Sequence, residues 1–122
     1  GVNFDPSHLI RMGIDALRFL HEVADRVAHV HGKDTRIDRA ALQELGWEQP
    51  ATFAASPDFG GPFWRYTIPG HGEFPWTRGL EVLQEAGYEG YVSIELEDFR
   101  FNGSENGEKD GLLAGAAFLA SA

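Results

Sequence analysis

Residues 76–96 read WTRGLEVLQEAGYEGYVSIEL and carry the pattern that decides the fold. In the first half the apolar side chains recur at helical spacing, at Leu80, Leu83 and Ala86. Gly87 is typical of a residue that ends a helix. Residues 91–96 then alternate β-branched and aromatic side chains with polar ones, which predicts a strand. The stretch is therefore a helix followed by a strand.

The same two patterns occur throughout the rest of the chain. We predict a strand end at 2–4, a helix at about 15–24, a strand at 26–31, helices at 38–45 and 112–120, and extended chain at 63–68. The stretch Gly32–Thr35 is interpreted as the loop after the second strand. Strands that alternate with helices imply parallel strands joined by crossover helices.

Three parallel strands cannot cover both faces of their own sheet, so they favour a larger arrangement. We predict an α/β fold, the C-terminal part of a TIM-type (β/α)8 barrel with about three β/α units, where a whole barrel needs roughly 250 residues. The 122 residues are expected to form one partial barrel domain over 1–122, with an irregular insertion around 47–62 that is rich in Pro and Gly. Because the first residues look like a strand end, we expect the preceding strands to come from an upstream segment or another chain.

Composition narrows the classes of function. The net charge of −9 argues against a broad grip on a nucleic-acid backbone, which needs clustered Lys and Arg. The sequence has no cysteine, which excludes disulfides and thiolate metal sites and is compatible with the cytoplasmic location that we expect. No apolar run is long enough to span a membrane.

Side chains that can do chemistry follow each predicted strand. In a (β/α) barrel the active groups lie at the C-terminal ends of the strands. The three ends carry Asp5 and His8, then His29, His31, Lys33 and Asp34, then Glu95, Glu97 and Asp98. Carboxylates with one imidazole suit Mn²⁺, Mg²⁺ or Co²⁺, and additional imidazoles favour Zn²⁺.

Each of these residues also has a purely structural interpretation. Asp5 precedes a proline and could cap a helix or close a turn. A single histidine in a strand is more often a hydrogen-bonded core residue than a ligand. His29 and His31 place two imidazoles on one strand face, and burying both is costly unless they bind a metal or a substrate. Glu95 lies in an apolar strand, so a metal or a cation is expected beside it.

Four segments together resemble one known family. They are Asn3–His8 (NFDPSH), Ala28–Asp34 (AHVHGKD), Pro69–Glu73 (PGHGE) and Gly87–Glu95 (GYEGYVSIE). In this order they resemble the xylose isomerase-like barrel superfamily, and within it most closely the sugar phosphate isomerase/epimerase proteins. The resemblance covers nearly the whole chain, with residues 50–62 as its least recognisable part. It is specific for the superfamily and weak for the substrate.

The resemblance implies a site, residue by residue. The family holds one divalent metal with a Glu, an Asp, a His and a second Glu from four successive strands, and the last three correspond to Asp5, His31 and Glu95. The first Glu would belong to a strand before Gly1. The implied substrate-binding residues are His8, which could also hold a second metal, and Lys33 and Arg36, which could bind a hydroxyl or phosphate. His29 is interpreted as a supporting residue and His71 as part of the pocket wall.

The resemblance also implies an activity, that of a divalent-metal-dependent sugar (phosphate) isomerase/epimerase. Such enzymes move a proton next to a carbonyl group through a metal-stabilised enediolate, with a carboxylate on each side of the sugar. Glu95 would be both a ligand and one catalytic carboxylate, and the absent first Glu would be the other. The chain alone is therefore expected to hold half of its acid–base pair. The expected metal is Mn²⁺ or Mg²⁺, with Co²⁺ or Zn²⁺ as alternatives.

Other hypotheses stay open. A metal-dependent dehydratase or an AP endonuclease could use the same scaffold, although an endonuclease needs further metal ligands and a positive surface. A non-catalytic fragment could associate through its unpaired strand edges. The expected partners are a sugar or sugar phosphate and either the N-terminal half of the barrel or another copy of the chain, and neither a membrane nor nucleic acid.

Overall fold

The computed structural model describes residues 1–47 and 58–122. Its strands are β1 (Val2–Phe4), β2 (Val27–Gly32), β3 (Asp34–Ile37), β4 (Trp64–Thr67) and β5 (Val92–Ile94). Its helices are α1 (Pro6–Ile10), α2 (Ala16–Val23), α3 (Arg39–Leu45), α4 (Trp76–Glu85) and α5 (Glu105–Ser121). Most of the predicted insertion around 47–62 lies outside the described residues. No helix of the described ranges is both long and apolar enough to cross a bilayer.

The central sheet is parallel and has the order β1-β2-β5. Phe4 pairs with Val30 of β2, and Val30 pairs in turn with Val92 of β5. Because each strand is followed by helical chain before the next strand, all three carboxyl ends meet at the same edge of the sheet. This arrangement confirms the predicted α/β fold with about three units of a (β/α)8 barrel.

The core lies between this sheet and helices α2 and α4. Its fully buried members include Phe4, Leu20, Val30, Trp76, Val82 and Leu83. In β2 the side chain of Val30 points into the core while those of His29 and His31 stay partly exposed, as period-two alternation predicts. In α4 the prediction was wrong for Ala86, which is exposed. Val82 takes the core position instead, since helical spacing from Gly79 places it on the buried face.

Polar side chains fix where several helices begin. Asp15 accepts a hydrogen bond from Arg18 N at 3.0 Å at the start of α2, and Asp38 accepts two at the start of α3. Helix α5 begins at Glu105, because Ser104 Oγ accepts from Gly107 N at 3.1 Å. The predicted start at Leu112 was therefore too late, since the cap outweighs the polar composition of the first turns.

An antiparallel hairpin accompanies the parallel sheet. The prediction of a loop over Gly32–Thr35 was wrong, because β2 continues to Gly32 and β3 starts at Asp34. Strand β3 pairs with β4 in the register Asp34–Thr67, Thr35–Tyr66, Arg36–Arg65 and Ile37–Trp64. The polar sequence of β3 has no strand signal of its own, so its partner, distant along the chain, determines its conformation.

Candidate metal and substrate site

The structure brings the three predicted metal ligands together at the carboxyl edge of the sheet. Asp5 follows β1, His31 lies near the end of β2, and Glu95 follows β5. One ligand atom of each residue lies within 4.8 Å of the other two. His31 Nδ1 is 3.4 Å from Asp5 Oδ2 and 3.1 Å from Glu95 Oε2. The three atoms therefore surround a space that a single cation could fill.

The two oxygens of Asp5 have different surroundings. Oδ1 accepts hydrogen bonds from Ser7 N at 2.9 Å and from Ser7 Oγ at 2.6 Å, so Asp5 caps α1. Oδ2 is buried and accepts no hydrogen bond in the described part of the chain. The helix-cap interpretation and the ligand interpretation thus apply to different atoms. The contacts of Oδ2 are ion-pair contacts at 3.4 Å, with His8 Nε2, His31 Nδ1 and Lys33 Nζ, so a bound cation would add the close partner that a buried carboxylate oxygen favours.

Lys33 supplies one positive charge to this cluster. Its side chain is 1% exposed, and Nζ lies 2.7 Å from Glu95 Oε2, 3.2 Å from Glu97 Oε2 and 3.4 Å from Asp5 Oδ2. Burial alone would lower the pKa of Lys33, but the hydrogen bond to Glu95 and the charges of the three carboxylates outweigh it and raise the pKa. Lys33 is therefore protonated at neutral pH.

The charges around Lys33 do not balance. Asp5, Glu95 and Glu97 carry three negative charges and Lys33 carries one positive charge, which leaves two negative charges. With a neutral His31, a divalent cation would neutralise the cluster. The donor set of two carboxylates and one imidazole therefore fits the metal that the sequence predicts, and Lys33 occupies part of the space beside it.

His8 is linked to the same cluster through Tyr66. His8 Nε2 lies 3.4 Å from Asp5 Oδ2, and His8 Nδ1 is 2.7 Å from the Tyr66 hydroxyl. The tyrosine ring also lies under Lys33 Nζ, 4.6 Å from it. Burial raises the pKa of Tyr66, so its hydroxyl stays neutral and can either donate or accept. Tyr66 was not predicted as a site residue, because its contact with His8 depends on the pairing of β3 with β4.

The remaining predicted site residues lie around or away from the triad. The ring of His29 packs edge-on against that of His31 at 5.4 Å, which fits a supporting role. Asn3 Nδ2 lies 3.4 Å from His31 Nε2. Arg36 is exposed on β3, and His71 Nδ1 accepts a hydrogen bond from Arg100 at 2.9 Å. Neither has a hydrogen bond or ion pair to the triad in the described structure.

Asp34 is a buried structural residue beside the site. Its carboxylate accepts hydrogen bonds from Thr35 N at 2.8 Å, Phe74 N at 3.0 Å and Trp76 Nε1 at 3.0 Å. Burial raises its pKa, although these donors oppose the rise. A Cβ on Gly72 would lie 2.2 Å from Asp34 Oδ1, so only glycine fits there. Asp34 thus joins the chain after Lys33 to the turn before α4.

Asp98 is a second buried aspartate that connects two segments next to the site. It is fully buried and accepts hydrogen bonds from Ile68 N at 3.2 Å and from the main chain and guanidinium of Arg100. Burial would raise the pKa of Asp98, but the hydrogen bonds and charge of Arg100 outweigh it and lower the pKa. The segment that carries Glu95 and Glu97 is in this way tied to the end of β4. The sequence predicted that Asp98 lies at the third strand end but indicated no function for it.

The fold is that of part of a (β/α) barrel, and a comparison with known families agrees. The model of the xylose isomerase-like TIM barrel family matches residues 1–122, and the chain belongs to that family. A xylose isomerase domain protein from Planctomyces limnophilus has a similar structure, with a TM-score of 0.63 and 26% identity. The match covers 99% of this chain and 36% of that one. The resemblance of the four sequence segments to the xylose isomerase-like barrel superfamily is therefore confirmed.

Similar proteins include one of unassigned activity and several enzymes. The "Uncharacterized protein YfiH" of Bacillus subtilis (strain 168) is 38% identical over 102 residues, which are 80% of this chain and 31% of YfiH. Inosose dehydratases of Lacticaseibacillus casei and Clostridium perfringens (strain 13 / Type A) are 32% and 33% identical over 77% of this chain and 29% of their own length. The chain thus spans about a third of the length of these relatives.

Proposed function

We propose that this chain provides the metal and substrate site of an enzyme that removes a proton from the carbon next to a carbonyl group of a sugar or a related polyol. The observation that carries the proposal is the meeting of Asp5, His31 and Glu95 at one edge of the parallel sheet. Two carboxylates and one imidazole suit Mn²⁺ or Mg²⁺, and they also accept Co²⁺ or Zn²⁺. A divalent ion held by these three residues would supply Lewis-acid chemistry to polarise the carbonyl.

Side chains of this chain supply the proposed base and the proposed substrate contacts. Glu95 is the proposed catalytic carboxylate that takes the proton, and Lys33, 2.7 Å away, holds it in place. His8 is partly exposed and is oriented by Tyr66, and its Nε2, which lies 3.5 Å from Lys33 Nζ, is the proposed contact for a substrate hydroxyl. Lys33 has three donor protons and could bind a substrate oxygen as well. These roles are the ones that the family resemblance implies for Glu95, His8 and Lys33. Arg36 differs, because it forms no contact with the triad.

Two outcomes can follow the removal of the proton. If it returns to the neighbouring carbon or to the other face of the same carbon, the product is an isomer or an epimer. If the hydroxyl group on the next carbon leaves with a proton as water, the product is an unsaturated carbonyl compound and the reaction is a dehydration. Relatives that are named inosose dehydratase favour dehydration as the second candidate function. Both reactions begin with the same step at Glu95.

The rest of the proposed site would come from outside these residues. The chain spans about a third of its relatives, so the whole enzyme's activity belongs to a longer assembly. We propose that a fourth metal ligand and a second catalytic carboxylate come from the remaining strands of the barrel, carried by another segment or by a second copy of the chain. The cytoplasmic location stays a prediction.

A metal titration tests the first part of the proposal. Addition of Mn²⁺ should raise the melting temperature, because an ion present at 100 times its dissociation constant stabilises the fold by about 2.7 kcal/mol. The D5N, H31Q and E95Q variants should each lose this rise, whereas H21Q, which alters an exposed histidine on α2, should keep it. A folded chain that shows no rise with any of the four metals, or a rise that survives E95Q, would contradict the metal site.

An isotope experiment tests the chemistry. With Mn²⁺ in deuterated water, a keto-polyol such as inosose should exchange the hydrogen next to its carbonyl, and E95Q should abolish the exchange. Loss of water from the product would identify a dehydratase, and formation of an epimer would identify an epimerase. If the assembled barrel binds Mn²⁺ but catalyses no exchange with any keto-sugar, the chain is a non-catalytic member of the family.

A further inference from the structure

A second pocket lies beside the β3–β4 hairpin and is rich in arginine. Its volume is about 440 Å³, and its basic lining residues are Arg36, Arg39, Arg65 and Arg100. These are four of the ten Lys and Arg residues of a chain whose net charge is −9. Asp38 is the one acidic side chain among the described residues that line it. Such a concentration of positive charge in an acidic chain favours an anionic ligand.

The hairpin register places two of these arginines directly opposite each other. Arg36 pairs with Arg65 across β3 and β4, so their side chains lie on the same face. Thr35 and Tyr66 form the next pair and point to the opposite face, where Tyr66 contacts His8. The arginine pair is therefore separated from the metal triad by the thickness of the hairpin.

Neither arginine of this pair has a carboxylate partner in the described structure. The guanidinium of Arg65 donates to main-chain oxygens of Gly61 and Trp64. The side chain of Arg36 forms no hydrogen bond or ion pair with the residues of 1–47 and 58–122, and only its main chain is paired, in the ladder with β4. Like charges directly opposite each other destabilise a hairpin. This arrangement costs stability unless an anion lies between them.

The other charged residues of the pocket are already paired. Arg39 forms an ion pair with Glu73, and Arg100 forms one with Asp98. The carboxylate of Asp38 accepts hydrogen bonds from two main-chain N–H groups at the start of α3. The cations left for a ligand are therefore those of the opposed pair.

Thr67 gives an independent sign of a ligand. It is 3% exposed, it lines the pocket, and its register places it on the same face as Arg65. Its hydroxyl has no hydrogen-bond partner in the described part of the chain. Buried hydroxyl groups are almost always hydrogen-bonded, so an acceptor atom is expected here. An oxygen atom of an oxyanion is such an acceptor.

We propose that this pocket binds the phosphate group of a small phosphorylated molecule. Arg36 and Arg65 supply planar guanidinium groups, which bind phosphate oxygens in pairs, and the Thr67 hydroxyl supplies a further donor. Apolar walls from Phe63 and Phe99 suit the remainder of the molecule. The proposal goes beyond the metal chemistry and does not depend on it.

Titration of the ¹⁵N-labelled chain with inorganic phosphate tests the proposal. The main-chain amides of β3 and β4 should shift with saturation, and the same titration with chloride at equal ionic strength should not reproduce the shifts. The R36Q variant should bind phosphate about tenfold more weakly, the factor that corresponds to a lost charged hydrogen bond. T67V, which keeps the shape of the side chain, should weaken binding by a smaller factor.

A control variant and two further ligands complete the test. R18Q removes an exposed arginine on α2 and should bind phosphate as the unaltered chain does. A hexose phosphate that binds more tightly than phosphate would identify a phosphorylated metabolite, and equal binding would identify free phosphate. An absence of saturation at millimolar phosphate, or equal weakening by R18Q and R36Q, would overturn the proposal. Because no metal is present, this outcome is distinguishable from failure of the metal site.

Discussion

The parallel sheet β1-β2-β5 surrounds one buried ammonium group with carboxylates, whereas the β3–β4 hairpin places two arginines directly opposite each other. At the sheet edge Lys33 lies within 3.4 Å of three acidic side chains. On the hairpin, Arg36 and Arg65 have no acidic partner among the described residues. The first region has a surplus of negative charge and the second a surplus of positive charge.

The difference shows how one chain can form an acidic site and a basic site in neighbouring regions. In each region, hydrogen bonds within the chain hold a residue that carries the excess charge in place without a ligand. Asp5 is fixed because it caps α1, and Arg65 is fixed because it donates to main-chain oxygens. The surplus at the sheet matches a divalent cation, and the surplus at the hairpin matches a doubly charged phosphate. Substitutions that alter one region without the other test this difference in charge.

Loss of Asp34 should have the largest effect, because this residue holds the hairpin against the turn before α4. D34A would leave the donors of Phe74 N and Trp76 Nε1 buried without an acceptor. We expect the free energy of unfolding to fall by about 3–5 kcal/mol, measured by urea denaturation. D25A, which alters an exposed aspartate, should change it by less than about 0.5 kcal/mol. A loss below about 1 kcal/mol for D34A would contradict this structural role.

Asp98 should give a smaller effect that depends on pH. Its pKa is lowered in the folded chain, so its ionisation stabilises the fold above the unfolded pKa of about 4. This stabilisation is lost as the pH falls through the lower, folded pKa. At pH 7 the D98N variant should be about 2 kcal/mol less stable, measured by urea denaturation, and the difference should shrink below about pH 4. A difference that grows towards acid pH would show that the sign is wrong.

Removal of the Tyr66 hydroxyl tests the link between the two regions. Y66F keeps the ring under Lys33 but deletes the 2.7 Å contact with His8 Nδ1. The free energy of unfolding should fall by about 1 kcal/mol. The NMR chemical shifts of the His8 ring should change in Y66F and stay the same in Y91F, which removes the hydroxyl of an exposed tyrosine. Unchanged His8 ring shifts in Y66F would show that the hairpin does not act on the sheet site.

The smallest effect has the opposite sign. R36T removes one member of the opposed arginine pair and adds a residue that favours strands. Without phosphate, the variant should therefore be more stable than the unaltered chain by about 0.2–1 kcal/mol, measured by thermal denaturation at low salt. In saturating phosphate the order should reverse. Equal stability under both conditions would show that the pair carries no strain.

The sheet could be predicted from the sequence because its signals are local. Apolar residues that alternate with polar ones define β2 and β5, and the caps at Asp15 and Asp38 lie next to the helices that they begin. Since strand ends in a barrel meet at one edge, the grouping of Asp5, His31 and Glu95 followed from chain order and the family resemblance. Here local pattern and global fold agree.

The hairpin could not be predicted because its signals are distant along the chain. Strand β3 is polar, and it becomes a strand only through pairing with β4. The donors to Asp34 come from the turn before α4, and those to Asp98 come from the end of β4 and from Arg100. No spacing in the sequence indicates these contacts, so Tyr66 and the pairing of Arg36 with Arg65 were missed for the same reason.

The burial of Lys33 also makes the site observable by chemical labelling. The sequence holds Lys33 and Lys109 and no other lysine. The Lys109 side chain is 63% exposed and should react readily with an acylating reagent. Lys33 is shielded from the reagent, and its raised pKa leaves little of the neutral amine that such reagents attack. Acylation of Lys33 relative to Lys109, read by mass spectrometry, would therefore measure how often the acidic cluster opens.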